Sequence, residues 1–259
     1  MEYKGSLNED LITGGLVEDI FMMTFWRHVA LAATAGWLLT HVAEAAPPPG
    51  KATLESSKHA TAQAPFLRGH ALLHNFEYQR AAQAFREAQA VAGGSAMAYW
   101  GETMTHNHPI RMEQDSQVAR AVLTRLGATA AERASRAANE PERAYPEAIE
   151  ALYRKDSKEE RDRAYSERMA WLAAHLPDDV DAQAFYALSS RGLAPKGRDY
   201  GLYIRSATLL EELDPANVRH PGVLHYLIHF YDDPTHAPLG RVRPAVMRTS
   251  HLTHRMRCT

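Results

Sequence analysis

From Phe66 to Tyr231, apolar residues in almost every segment recur at spacings of three and four, and nowhere do they alternate over five or more residues. That spacing gathers side chains on one face of a helix and leaves no half-buried strand. Ala, Leu, Glu, Arg and Gln dominate these segments, and all are good helix formers. Breaks fall at Gly93-Gly94, Pro109, Pro141, Pro146, Pro177, Pro195, Gly197, Pro215, Pro221 and Pro234. Between breaks there is room for helices of about 10–20 residues joined by short turns. The expected class is therefore all-α, built from antiparallel helix pairs. Of 259 residues, 45% are hydrophobic and 23% charged, which supplies a sizeable core and excludes a disordered, collagen-like or polytopic membrane chain. A formal net charge of −2 gives no electrostatic footprint for nucleic acid. The single cysteine, Cys258, excludes an intrachain disulfide framework.

Helix pairs of this length point to an internal repeat. In the first unit, Phe66–Gly93, Gly69, Leu72, Tyr78, Ala81, Phe85 and Ala88 put small residues where two helices must approach and aromatic ones where a gap must be filled. Ala96–Tyr99 opens a new first helix. A second helix and turn recur at Arg163–Pro177, followed by Asp181–Ser189. A third unit is Tyr200–Pro215, followed by Val223–Tyr231. Over about Ala64–Leu239 the chain resembles tetratricopeptide repeat proteins, and more narrowly exported bacterial ones with His-rich first helices. The resemblance implies a right-handed superhelix of helix pairs over 65–239, with first helices lining a concave groove that binds a protein or peptide partner. Ile110–Asp162 departs from the pattern, and its Pro141 and Pro146 are expected to break the periodicity.

Both ends read differently. Arg27 and His28 precede the apolar run Val29–Val42, and Ala43-Glu44-Ala45-Ala46 follows it. A basic start, a short apolar core and small residues at the exit describe a secretory signal, too short to be a comfortable membrane span. Export to the periplasm or beyond is expected, with membrane contact only through this segment. The acidic stretch Met1–Phe21 does not suit a signal, and Met22 or Met23 is the more conventional start. Residues 47–64 read as a linker. The last residues, 240–259, form a basic tail without helical spacing, as a disordered extension or a shifted reading frame would give. Either would leave Val223–Tyr231 without a partner helix and favour a homodimer.

Histidine is the residue type in excess, at 14 copies. His70 and His74 sit four apart. His106 follows Gly101 as His74 follows Gly69, with His108 two residues on. His225 and His229 again sit four apart. Two histidines four apart share a helix face, one turn apart, so both rings can turn toward one ion. Zinc or copper suits such nitrogen ligands. The resemblance adds that His70, His74, His106, His225 and His229 face one groove. His70, His74 and His106 come from adjacent units and form the nearer set, whereas His225 and His229 need curvature or dimerisation to join it. Glu77, Glu102, Asp232 and Asp233 are the candidate carboxylate companions. His59, His175, His220, His251 and His254 read as surface or packing residues. No phosphate-binding Gly-rich loop, nucleophile elbow or metalloprotease helix is present, and no catalytic residue can be named. Two functions follow: a scaffold for a protein or peptide partner, and a metal-binding protein or metalloenzyme.

Overall fold

A computed structural model describes residues 60–194, 199–213 and 220–240. The expected signal segment, Met1–Phe21, and residues 241–259 of the basic tail lie outside the described residues. Among the described residues there are eleven helices and a two-stranded antiparallel ribbon. In order they are α1 (Ala60–His74), α2 (Tyr78–Val91), α3 (Ala96–Met104), β1 (Asn107–His108), β2 (Glu113–Gln114), α4 (Ser116–Leu126), α5 (Ala130–Ala134) and α6 (Glu140–Leu152). Then come α7 (Lys158–His175), α8 (Val180–Leu193), α9 (Tyr200–Leu213), α10 (Pro221–Phe230) and α11 (Ala237–Gly240). The described residues are thus all-α apart from this small ribbon. None of the described helices is long and apolar enough to cross a membrane.

Successive helices pack on one another: α1 on α2, α2 on α3, α7 on α8, α8 on α9 and α9 on α10. Close approach is bought by glycine at the first pair. A Cβ on Gly69 would lie 3.0 Å from the Phe85 ring, and one on Gly101 closer still. Phe85 is wholly buried between them. Full burial of such a ring stabilises by roughly 1.5–3 kcal/mol, which a side chain at either glycine would oppose. Phe66, Trp100, Tyr145, Phe185, Tyr226 and Phe230 are further large buried residues of the same core.

Three boundaries differ from expectation. The residues Ala60–Ala64, read as linker, already belong to α1. Pro141 does not interrupt a helix but opens α6, where a missing N–H costs nothing. Pro146 lies inside α6, which continues through it. Packing of Ala144, Tyr145, Ala148, Ile149 and Leu152 outweighs the hydrogen bond that one proline removes. The placement that matters most for the site is a long-range one. Helix α10 lies against both α9 and α1, so the last long described helix meets the first.

Candidate metal centre

Three helices deliver side chains to one buried point. Helix α1 presents His70 and His74 from its last two turns, both wholly inaccessible. Helix α8 presents Asp181 from its first turn. That turn is fixed by Asp179, whose side chain caps the helix by accepting the Ala182 N–H at 3.1 Å. Helix α10 presents His220, its own N-cap, and Tyr226. Oδ1 of Asp181 is the centre. It lies 2.8 Å from His74 Nε2, 2.9 Å from His220 Nε2 and 3.5 Å from His70 Nε2. His70, His74 and Asp181 each offer one ligand atom, all within 4.8 Å of one another.

The walls are aromatic. Phe66 stacks on His70 at 5.9 Å between ring centres, and Phe185 stacks on His74 at 4.6 Å. Trp100 lies 5.9 Å from His70. Phe185 and Tyr226, which touch His74, also line a small cleft whose other walls include Tyr78, Asn107, Lys158 and Asp162.

Hydrogen-bond partners assign the protons. His220 Nδ1 accepts the Val223 N–H at 3.3 Å, so the proton of the neutral ring is on Nε2 and is donated to Asp181. His74 Nδ1 lies 2.7 Å from the Tyr226 hydroxyl. When His74 Nε2 donates to Asp181, Nδ1 accepts from that hydroxyl. When a cation takes Nε2, the proton moves to Nδ1 and the hydroxyl accepts. Tyr226 serves both states, because a hydroxyl is donor and acceptor. His70 is the exception: both its ring nitrogens are buried without a hydrogen-bond partner. A buried polar group left so costs about 1–3 kcal/mol.

Burial pushes the His74 ring down to about 3, and lowers His70 as well. Burial would raise the Asp181 carboxyl, but the surrounding His70, His220 and His74 rings hold it well below the usual carboxylate range. All three groups are thus altered in the same direction. A histidine whose folded value is depressed lets the unfolded chain bind more protons below its ordinary value. Stability from His70 and His74 is therefore complete above about pH 6.5 and is lost as pH falls toward the folded value, with Asp181 adding to the loss at lower pH. Urea unfolding of metal-free protein is expected to give a lower midpoint at pH 5 than at pH 7.5. A midpoint independent of pH over that window would contradict the burial of neutral histidines.

The other sequence candidates are placed elsewhere. His106 was expected on the first helix of the unit adjacent to that of His70 and His74, with His108 at the end of that helix. Helix α3 instead ends at Met104, which leaves His106 in a turn and His108 in β1. His108 stacks on Tyr78 at 4.1 Å and lies 3.7 Å from Glu113, not at Asp181. His225 is the one that reaches α1: its Nδ1 meets the His74 carbonyl at 2.7 Å, and its Nε2 lies 3.0 Å from His229 Nε2. The resemblance put these residues on an open groove, yet His70, His74 and His225 are buried. The proposed carboxylate companions serve other partners. Glu77 pairs with Arg80, and Glu102 holds Arg86, Arg125 and Gln89. Asp233 receives His236 at 2.9 Å.

Asp181, His220 and Tyr226 were missed. One signal for Asp181 was available. Ala184, Phe185 and Leu188 follow it by three, four and seven residues and are all buried, so the aspartate opens the apolar face of α8. A carboxylate on such a face requires a partner. Comparison with protein-family models, curated proteins and solved structures gave no match.

Proposed function

We propose that the chain is a transition-metal-binding helical repeat protein whose ion is held by His70 Nε2, His74 Nε2 and the Asp181 carboxylate. The observation that carries this reading is His70: a wholly buried ring with two unpartnered nitrogens, one of them 3.5 Å from a carboxylate that two other histidines already face. An ion between them would give His70 the partner it lacks. Two imidazoles and a carboxylate suit a divalent ion such as zinc, iron or copper, and leave further coordination positions for water or a ligand. His220 stays outside the ligand set, since its cap bond to Val223 keeps the proton on Nε2. Its role is to hold Asp181 in orientation, as Tyr226 does for His74; such outer partners fix ligand rotamers. A metalloenzyme use draws on the cleft, whose walls share Phe185 and Tyr226 with the centre.

The scaffold is best read as a tetratricopeptide-like superhelix of an exported protein. Support comes from helix pairs that stack in chain order and from the glycine–phenylalanine contact of the first pair. A groove for a protein or peptide partner has less support, because three of the histidines expected to line it, His70, His74 and His225, are buried.

Elemental analysis of the purified protein tests the metal reading. After reconstitution with zinc, iron(II) or copper(II), His70→Ala is expected to lose about one equivalent relative to the parent, with helical signal retained. Equal loading of parent and variant with each ion would overturn it.

A further inference from the structure

We propose that His225 and His229 form a second transition-metal site, with ligands separate from those of the Asp181 centre. The argument starts from a proton. A backbone carbonyl can only accept, so the 2.7 Å contact from His225 Nδ1 to the His74 carbonyl places the His225 proton on Nδ1. Its Nε2 then carries a lone pair. That lone pair points at His229 Nε2, 3.0 Å away and one turn along α10. A ring whose far nitrogen donates to a carbonyl is the arrangement that presents the other nitrogen to a metal. His225 is buried and His229 half-buried, so the pair leads from the interior toward the surface.

The chain also holds a ring over the pair at a backbone cost. Phe76 has φ of 58°, the left-handed region, which disfavours a bulky side chain by roughly 1–2 kcal/mol. In that conformation its ring centre lies 4.4 Å from His225 and 5.6 Å from His229, and it stacks on Tyr226 at 5.5 Å. This left-handed residue ends α1, with the Phe76 N–H bonded to the Leu73 carbonyl and the Glu77 N–H to the Leu72 carbonyl, and that turn fixes the ring. Here it walls one side of both imidazoles and limits their rotamers. Nitrogen-only ligation by two imidazoles favours copper(II), nickel(II) or zinc, with the remaining positions left to water or a small ligand. The competing arrangement is a plain hydrogen bond in which His229 donates to His225.

Copper(II) titration of the metal-free full chain against a chelating competitor separates the two. The parent is expected to take up about two equivalents, His229→Ala about one, His70→Ala about one, and the double variant essentially none. His229→Cys, made together with Cys258→Ser, is expected to retain the second equivalent and, with cadmium, to show a thiolate-to-metal charge-transfer band in the ultraviolet that Cys258→Ser alone lacks. A His229→Ala count equal to the parent, with no band in His229→Cys, would reduce the pair to its hydrogen bond. Loss on His229→Ala but none on His70→Ala would instead leave this site standing and remove the Asp181 centre. Should His229→Ala lose its helical signal, the cadmium band of His229→Cys decides alone.

Discussion

Asp181→Ala is expected to destabilise the metal-free protein by roughly 2–6 kcal/mol, since it leaves two buried N–H donors unsatisfied at about 1–3 kcal/mol each. The loss has identifiable parts. The N–H groups of His74 and His220 both end on Oδ1, and without it each is a buried donor with no acceptor. The site cannot rearrange to repair them, since Phe185 and Tyr226 occupy the flanks of His74. In urea unfolding the midpoint is expected to fall with an unchanged slope, which marks a change in stability and not in the compactness of either state. Metal loading at the inner site is expected to vanish at the same time. Asp181→Asn retains an oxygen acceptor, so it should recover part of the stability while still lacking the negative ligand. A loss of less than about 1 kcal/mol in Asp181→Ala would show that the carboxylate does not organise these three rings.

The second large effect runs against helix propensity. Gly222 lies in the first turn of α10, where alanine would by propensity be better by about 1 kcal/mol. A Cβ there would come within 2.8 Å of His74 Cε1 and nearer still to Nδ1. His74 cannot swing aside, because Tyr226 and Asp181 hold its two nitrogens. Overpacking of about 1–3 kcal/mol is then added to the strain on those hydrogen bonds, and the net change is destabilising. Gly222→Ala is therefore expected to lower the unfolding midpoint and to weaken metal binding at the inner centre. Gly201→Ala supplies the opposite sign. A Cβ on Gly201 would meet only the Arg205 guanidinium at 3.4 Å and Asp199 Oδ1 at 3.5 Å, and the residue is exposed. That variant should be neutral or gain up to about 1 kcal/mol. A stabilised Gly222→Ala would mean that α10 does not sit on His74 as described.

Much of this was legible in the chain, for a reason that differs element by element. Helix periodicity is local, so α1, α2, α8, α9 and α10 could be read from spacing alone. Histidines four apart on one helix are equally local, and His70 with His74 and His225 with His229 each meet as a pair. His106 shows where local reading fails. It copies the spacing of His74, but Thr103 and Thr105 turn their hydroxyls back onto the carbonyls of Tyr99 and Glu102, and α3 ends one turn early. Local reading shows only that Asp181 needs some partner, and His220 lies beyond it altogether. His74 is 107 residues from Asp181 and 152 from Tyr226, and only the relative placement of α1, α8 and α10 brings them together. His220 adds a further concealment. It reads as a residue before a proline, and only the fold reveals a ring that caps one helix and steadies a carboxylate of another.

The meeting of α10 with α1 changes what kind of polymer this is. A stack of repeats ordinarily behaves as a one-dimensional array in which each unit is stabilised by its nearest neighbours, and either end can fray without disturbing the other. Here the described first and last long helices share a hydrogen bond through His74 and a carboxylate through Asp181. Peeling α10 away strips His74 of its Tyr226 partner and frees its carbonyl, so fraying at one terminus is transmitted to the other. The array has been closed into a loop of couplings, and the buried Asp181 cluster at the seam ties these helices to a single unfolding event.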